Sequence, residues 1–301
     1  MILRLLAAVA GYLALRAATQ NNDTGKDPVM SEYPLDLTLT IWRRQFLENN
    51  WPALLRQAEF SSFSAKVIDA GRAYRVDEVS QIITEGRSAG LVAYGWGWTH
   101  ARNTKEAQDE ATAAAKQCIE RGLPRYYVNA EKMWAGTSGE PVPDDPIGNM
   151  LLYVETFRSL APDVELYWNG FSWYTANGRA LVTNDLLAAF DGYAPMNYGT
   201  KASSIQKKYD ERLDRAQEIN RPYQPMMSPG RIAKDGATWG FFKDQQSGPG
   251  LLSLVSARPP AGLCVWYGSG ATGMLADGNS ENPPWTVAGP ALQRAAAGQV
   301  S

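Results

Sequence analysis

From about Tyr33 onward, the chain alternates short apolar runs with segments of helical periodicity. Short apolar runs between turn-forming residues are typical of strands that are buried on both faces. Eight runs are therefore predicted as strands: Asp36–Trp42, Ala65–Gly71, Gly90–Trp98, Arg125–Glu131, Glu165–Phe171, Gly192–Tyr198, Tyr223–Ser228 and Gly262–Tyr267.

Helical patterns lie between most of these runs. The clearest is NTKEAQDEATAAAKQCIERG, in which Asn103 is the predicted N-cap and Gly122 the C-terminal stop. A mostly polar segment at 204–219 predicts a surface helix, and a third helical pattern covers 144–162. Strand–helix alternation at this spacing predicts a parallel sheet. Eight such units favour an α/β fold of the (β/α)8 TIM-barrel type. An open doubly wound sheet is the alternative, but no G-x-G-x-x-G follows the first strand.

The N-terminus has a different pattern, because Leu5 to Leu15 form an apolar stretch between Arg4 and Arg16. This is about the length of a signal-peptide core and shorter than the roughly 20 residues that cross a bilayer. Three interpretations remain: a signal peptide, a membrane anchor, or an apolar helix docked on a partner protein. We favour the anchor or an uncleaved export signal. We divide the chain into an apolar helix at 1–20, a polar linker at 21–32 and a barrel domain at 33–301.

Composition narrows the possible functions. The chain is 45% hydrophobic and 20% charged, which is typical of a globular protein, and its formal charge of −2 gives no reason to expect nucleic acid as a partner. Cys118 and Cys264 belong to no metal or redox motif and are predicted to be buried. His100 is the single histidine, so we expect neither a His/Cys metal site nor any other cofactor.

In a barrel of this type, reactive groups lie at the carboxyl ends of the strands. Those ends are rich here in Trp, Tyr and amide side chains. Flat rings stack on sugar faces while amides bind hydroxyl and acetamido groups, so the predicted ligand is a carbohydrate in a groove. Some of these aromatic residues could instead belong to the core. The predicted substrate-binding residues are Trp96, Trp98, Trp134, Trp168, Asn197, Tyr198 and Trp266.

The fourth predicted strand ends with Asn129 and Glu131, which should project to the same side because they are two residues apart. Glycosidic cleavage needs a carboxyl group that protonates the leaving oxygen, and Glu131 beside Trp134 is the candidate. Asn129 stands where a second carboxylate is usual. This indicates lost activity, or a route in which the substrate's acetamido oxygen attacks and Asn129 orients that group. Asp69 is a further catalytic candidate, whereas Asp191 begins its strand and is expected to be structural.

The segments GLVAYGWGW and LPRYYVNAE, with an Ala-rich helix between them, resemble the middle of the family 25 lysozyme-like muramidases. ELYWNG and LLAAFDGYAPMNYG are similar to the next two strands of that family. The family has Asp at the position of Asn129. An Asn-x-Glu pair at a strand end resembles the family 85 endo-β-N-acetylglucosaminidases, which implies the acetamido route. MNYG is similar to family 18 chitinase-like barrels. The shared implication is cleavage beside GlcNAc or MurNAc.

Three functional hypotheses follow. The first is a retaining glycosidase that cleaves an N-acetylhexosamine polymer, with peptidoglycan as the specific substrate. The second is an inactive barrel that binds glycan or forms part of an assembly such as a virion, and the third is a barrel enzyme with another polar substrate. An apolar N-terminus fits an exported or anchored protein of the cell envelope, or one in a viral particle. Contact with a membrane or a partner protein is expected through residues 1–20.

Overall fold

The computed structural model describes residues 33–135, 143–171, 174–176, 179–197, 202–227, 250–267, 275–277 and 284–299. These residues all belong to one unit, Tyr33–Ser301. The predicted N-terminal helix and linker lie outside the described residues, and so does Tyr198. Among the helices that the structure describes, none has both the length and the apolar character that crossing a membrane requires.

A parallel sheet of eight strands forms the centre of the fold, and all eight sequence-predicted strands contribute to it. The strands are β1 (Asp36–Ile41), β2 (Ser62–Asp69), β3 (Val92–Thr99), β4 (Arg125–Ala130), β5 (Glu165–Trp168), β6 (Gly192–Tyr193), β7 (Met226–Met227) and β8 (Gly262–Tyr267). Their order along the sheet is β7, β8, β1, β2, β3, β4, β5, β6. Two isolated parallel bridges, Tyr193 to Tyr223 and Met196 to Met226, link β6 to the segment of β7. The fold is therefore α/β of TIM type and not an open doubly wound sheet.

Helices follow most strands, and the three clear helical patterns are all found. Asn103 Oδ1 accepts the backbone N–H of Glu106 at 2.9 Å, and Gly122 ends the same helix with a left-handed φ of 58°. The described α-helices are α1 (Trp51–Gln57), α2 (Val76–Ser88), α3 (Thr104–Arg121), α4 (Lys132–Ala135), α5 (Pro146–Leu160), α6 (Asn184–Ala188), α7 (Ala202–Glu218), α8 (Leu251–Ala257) and α9 (Trp285–Ala296), and a short 3-10 helix covers Arg44–Phe46. The structure also contains short antiparallel strands. Arg72–Ala73 pairs with β2, and Thr175–Ala176 pairs with Arg179–Ala180.

Side chains alternate between the inside of the sheet and the helix layer, as strand geometry requires. The outer cluster is the larger one, and α2 approaches β2 so closely that a Cβ at Gly86 would collide with the Phe63 ring. The inner cluster consists of Tyr94, Trp96, Tyr127, Tyr167, Ala194, Met196, Met226 and Cys264. Because these side chains fill the interior, a ligand site has to lie beyond them, at the strand ends.

A part-buried charge network closes the amino end of the sheet. Arg125 donates at 2.8 Å to both Asp36 and Glu165. Its guanidinium also lies 4.6 Å from the ring centre of Tyr94 and 4.2 Å from that of Tyr167. Five N–H donors and a flat face allow an arginine to satisfy carboxylates and rings together. This end of the barrel is therefore structural.

Asp191 and the two cysteines, which lie away from the proposed site, have the structural environments that were predicted for them. Asp191 accepts from Arg158 at 2.8 Å and from the backbone N–H of Leu166 at 2.8 Å, so its role is structural. Cys118 and Cys264 are both buried free thiols.

Candidate active site

The carboxyl ends of four neighbouring strands place one residue each at the same level. Asp69 of β2 lies opposite Trp98 of β3, and Trp98 lies opposite Asn129 of β4. Asn169, directly after β5, donates its backbone N–H to Val128 O, which sets it beside Asn129. Parallel register thus brings together residues that are far apart in sequence.

Asn129 and Glu131 lie together at this end, as the alternation predicts. Nδ2 of Asn129 donates a hydrogen bond of 3.0 Å to Oε1 of Glu131. Asn129 is buried and Glu131 is half-buried. Within the described chain, Oδ1 of Asn129 is buried without a hydrogen-bond partner. A buried acceptor that lacks a donor costs about 1–3 kcal/mol. This oxygen is therefore suited to accept an N–H from a ligand.

Lys66 is a site residue that the sequence analysis missed. It lies on β2 with its side chain only 1% exposed, and its Nζ is 3.3 Å from Oδ1 of Asp69. Nζ also lies 3.8 Å from the ring centre of Trp98 and 4.5 Å from that of Tyr74. Burial lowers the pKa of Lys66, while the carboxylates of Asp69 and Glu131 oppose that change. A lysine inside the buried run SFSAKVID was the available signal, because lysine is rarely buried without a partner.

Three tryptophans that are half-buried form an aromatic rim at the same end, namely Trp42, Trp98 and Trp266. Trp42 lies between the other two, with ring centres 6.3 Å from Trp98 and 6.2 Å from Trp266. Trp96 packs edge-on beneath Trp266 at 5.4 Å and donates its Nε1–H to Ile41 O at 2.9 Å. Trp98 and Trp266 thus lie at the strand ends and Trp96 lies beneath them, while their sugar-binding roles stay predictions. Trp42 was missed although it ends the first predicted strand.

The structure contradicts the predicted sugar-binding role of Trp134 and Trp168. Both are fully buried in the outer core, with ring centres 5.3 Å apart. Trp134 donates its Nε1–H to Pro146 O at 2.7 Å, and Trp168 packs edge-on against Phe190 at 5.5 Å. Trp168 immediately precedes the inward-facing Asn169, so alternation turns its ring toward the helices.

Asn197 is held in place by a buried arginine. It is fully buried, and its Oδ1 accepts from Arg212 of α7 at 2.9 Å, while the same guanidinium donates to Met196 O at 2.8 Å. Its Nδ2 is buried without a hydrogen-bond partner among the described residues, so its predicted role in sugar binding stays a prediction. Tyr198 lies outside the described residues, so its predicted role is not tested.

Asn169 is a second amide whose side chain faces the interior of the barrel. It is buried, and its Nδ2 donates to Ala194 O at 2.7 Å. Its Oδ1 has no hydrogen-bond partner within the described ranges. Asn169 therefore offers a second buried acceptor next to Asn129.

The loop that follows Trp98 is held by a buried carboxyl group. Glu110 of α3 accepts the backbone N–H groups of His100 at 2.8 Å and Ala101 at 3.2 Å. Ala101 has a positive φ of 44°, so these hydrogen bonds hold a strained turn. Burial raises the pKa of Glu110 to about 7, although both hydrogen bonds act in the opposite direction.

The negative charge of Glu131 also acts on Tyr174. Burial raises the pKa of the Tyr174 hydroxyl, and the Glu131 carboxylate raises it further. Among the described residues, no group of three or more His, Cys, Asp or Glu side chains is arranged to hold a metal ion. The candidate site thus contains a carboxyl group, two amides and an ammonium group beside an aromatic rim.

No family model matches the sequence, and no curated protein matches it either. The fold, however, is similar to solved structures. A chitinase from Rhizomucor miehei has a TM-score of 0.60 at 10% identity, over 86% of this chain and 99% of the chitinase. A chitinase from Bacteroides thetaiotaomicron has a TM-score of 0.59 at 9% identity, over 88% and 97% of the two chains. An endo-β-N-acetylglucosaminidase from Cordyceps militaris has a TM-score of 0.55 at 9% identity, over 90% and 92%.

At these identities the similarity concerns the fold and not the individual site residues. The specific resemblance to family 25 muramidases stays a prediction. The alternation of strands and helices predicts a barrel. This chain shares that fold with the two chitinases and the endo-β-N-acetylglucosaminidase.

Proposed function

We propose that this protein is a glycoside hydrolase that cleaves polymers containing N-acetylhexosamine. The observation that carries the proposal is the 3.0 Å contact between Asn129 and Glu131 at the carboxyl end of the barrel, beside the aromatic rim. Active sites of TIM-type enzymes lie at this end. Proteins of similar fold that are named chitinases and endo-β-N-acetylglucosaminidases support the same class of substrate.

In the proposed reaction, Glu131 donates a proton to the leaving glycosidic oxygen. The substrate's own 2-acetamido oxygen attacks the anomeric carbon as that bond breaks, which gives an oxazolinium intermediate. Glu131 then takes a proton from a water molecule that opens the intermediate, so the anomeric configuration is retained. This route needs one carboxyl group, and thus no carboxylate at position 129.

Asn129 orients the acetamido group in this scheme. Its Nδ2 is occupied by Glu131, whereas its Oδ1 is the buried acceptor without a partner in the described chain. An acetamido N–H that binds there would turn its carbonyl oxygen toward the anomeric carbon. Orientation of this kind converts a slow encounter into an intramolecular attack.

The specific polymer we propose is peptidoglycan, and the support lies outside the barrel. The apolar stretch at 1–20 suits delivery to a cell envelope, or residence in a viral particle that has to breach one. Chitin oligomers are the direct comparison, because they share the N-acetylglucosamine unit without the lactyl and peptide groups.

A non-catalytic glycan-binding barrel is the second candidate, and a specific observation favours it. Asn129 stands where a glycosidase usually has its second carboxylate, and its amide donates to Glu131 at 3.0 Å. In this case the aromatic rim would still bind sugar.

The deciding experiment compares the wild type with Glu131→Gln on peptidoglycan and chitin oligomers. Loss of the proton donor should lower kcat by about 10²–10⁴-fold. Glu120→Gln is the matched control, because Glu120 is an exposed residue of α3. Equal rates in wild type and Glu131→Gln would remove Glu131 from the mechanism. Sugar binding without turnover by the wild type would establish the binding module instead. A thiazoline analogue of the intermediate should inhibit the enzyme, and failure to inhibit would contradict the acetamido route.

A further inference from the structure

Asn129 and Asn169 lie side by side on neighbouring strands, one step beyond a pair of tyrosines. In the ladder of β4 and β5, Tyr127 is paired with Tyr167, and both rings belong to the inner cluster with their centres 5.6 Å apart. Positions two further along each strand face the same way, so the side chains of Asn129 and Asn169 both point into the barrel. The backbone N–H of Asn169 donates to Val128 O at 2.9 Å, which continues the ladder to this level. Their backbones are therefore about 4.8 Å apart, the ordinary spacing of adjacent strands.

The orientation of the Asn169 amide is determined by its neighbours. Its Nδ2 donates to Ala194 O at 2.7 Å and lies 3.8 Å from Sδ of Met226, which belongs to the inner cluster. The reversed amide would bring two carbonyl oxygens to hydrogen-bonding distance, where they repel, so the nitrogen has to face Ala194. The other end, Oδ1, is buried without a hydrogen-bond partner among the described residues. Tethering β5 to the segment after β6 thus explains the nitrogen of this amide but not its oxygen.

Two buried acceptors therefore stand next to each other in the candidate site. Asn129 and Asn169 are each 1% exposed, and the Oδ1 atom of each lacks a donor within the described chain. A buried acceptor without a donor is unfavourable, and two such acceptors are satisfied together when a ligand brings two donors. A carbonyl oxygen only accepts, so the ligand groups that bind there have to be N–H or O–H.

We propose that Asn169 is a substrate-binding residue that accepts the 3-hydroxyl of the sugar whose glycosidic bond is broken, and that it thereby selects GlcNAc over MurNAc at that position. The assignment rests on the proposed function, in which Oδ1 of Asn129 accepts the acetamido N–H of the same sugar. The 3-hydroxyl is the donor on the ring carbon next to the one that carries the acetamido group, as two neighbouring acceptors require. The 6-hydroxyl lies on the other side of the ring, and the 4-oxygen of an internal unit is part of a glycosidic bond and has no hydrogen to donate.

MurNAc lacks the donor that Asn169 requires. Its 3-oxygen is an ether that carries the lactyl group, so it accepts hydrogen bonds and cannot donate one. At Asn169 it would place oxygen against oxygen and bring a carboxylate into a buried position. Sites that are built to bind a hydroxyl group strongly reject analogues that lack it. In peptidoglycan, where the two sugars alternate, the bond that is cleaved should therefore be the one after GlcNAc.

The experiment measures kcat/KM of the full-length protein on tri-N-acetylchitotriose and on the same trimer with a reacting sugar that lacks the 3-hydroxyl. The wild type should prefer the 3-hydroxy trimer by about ten- to a hundredfold, the scale of one buried acceptor left without its donor. In Asn169→Ala the preference should disappear, because neither trimer then loses a partner. Asn149→Ala is the matched control, since Asn149 is a buried asparagine of α5, and it should keep the wild-type preference. A structural role for Asn169 would lower both rates and keep the preference, which would overturn the proposal.

A second measurement uses the wild type alone and does not depend on the folding of a variant. The new reducing ends that the wild type releases from peptidoglycan are reduced with borohydride and identified by mass spectrometry. GlcNAc at these ends supports the proposal, and MurNAc overturns it. Should Asn169→Ala fail to fold, equal wild-type rates on the two trimers overturn the proposal and the expected preference supports it.

Binding separates this inference from the proposed function. Calorimetry with the two trimers measures sugar recognition even where no bond is broken. Preference for the 3-hydroxy trimer without any turnover would reject the glycosidase and keep the role of Asn169. Turnover that ignores the 3-hydroxyl would keep the glycosidase and reject the role of Asn169. Absence of binding and turnover with either trimer would reject both.

Discussion

The side-chain amide of Asn129 lies 3.0 Å from the Glu131 carboxylate and donates a hydrogen bond to it. The contact uses the nitrogen of the amide and leaves its buried oxygen as an acceptor without a partner among the described residues. An aspartate at this position would offer no such donor. An amide can therefore hold the carboxyl group on one side and a substrate N–H on the other.

The first prediction concerns that division of roles. Asn129→Ala should lower kcat on N-acetylated chitin oligomers by about a hundredfold, the scale of losing one preorganised hydrogen-bonding group. The loss should be specific for the acetamido group, so the measurement is kcat/KM on oligomers with and without N-acetylation at the reacting sugar. De-N-acetylated oligomers should be poor substrates for wild type and variant alike.

Asn103→Ala is the matched control for this substitution. It removes the N-cap of α3 and should cost about 1 kcal/mol of stability without changing kcat. A similar loss of activity in both alanine variants would show that Asn129 acts through folding and not through the substrate.

The second prediction separates the aromatic rim from the core tryptophans. Trp98→Ala and Trp266→Ala should weaken chitin-oligomer binding by about ten- to a hundredfold, because a buried aromatic contact is worth roughly 1.5–3 kcal/mol. Trp168→Ala should lower the free energy of unfolding by about 3–5 kcal/mol through the cavity that it leaves in the outer core. Binding is measured by calorimetry and stability by urea unfolding.

The two groups of variants act as controls for each other. Sugar affinity in folded Trp168→Ala should equal that of the wild type. Loss of affinity there, or normal affinity in both Trp98→Ala and Trp266→Ala, would contradict the assignment of the rim.

The strand count and the Asn129–Glu131 pair could be predicted because both depend on local pattern. Alternation along one strand determines which side chains share a face, and the fourth strand was bounded correctly at its start. The same rule would have excluded Trp168, which directly precedes the inward-facing Asn169. The prediction assigned whole strand ends to the site without applying alternation within them.

Other features depend on contacts between elements that a single sequence does not display. Asn197 is bound by Arg212 from the following helix, and nothing in the segment PMNYG indicates that partner. Lys66 is informative in retrospect, but its ring and carboxylate partners come from several strands and loops. Trp42 reaches the rim because β1 pairs with β8, which brings the two ends of the barrel sequence together.

The third prediction tests the closed amino end of the barrel. Arg125→Met should lower the free energy of unfolding by about 3–5 kcal/mol, because it leaves Asp36 in a part-buried place without its main cation. Arg102→Met is the matched control, since Arg102 pairs with Glu106 on the surface and should contribute at most about 1 kcal/mol. Urea unfolding measures both. Equal effects would show that the part-buried network adds nothing beyond a surface pair.

The fourth prediction concerns Glu110 and the pH dependence of stability. Its pKa in the folded protein is about 7, above the ordinary 4.5, so between these values the folded state holds more protons than the unfolded state. Stability from this group is therefore present below about pH 4.5 and is lost as the pH rises to 7, by up to about 1.4 kcal/mol per pH unit. Glu110→Gln keeps an acceptor for the two backbone N–H groups and should remove this dependence. Urea unfolding from pH 4.5 to 8 should show that the free energy of unfolding of Glu110→Gln rises relative to that of the wild type as the pH increases. The control Glu120→Gln, at an exposed position, should follow the wild-type curve. Parallel curves for all three proteins would mean that Glu110 titrates normally and that its burial does not tune the loop after Trp98.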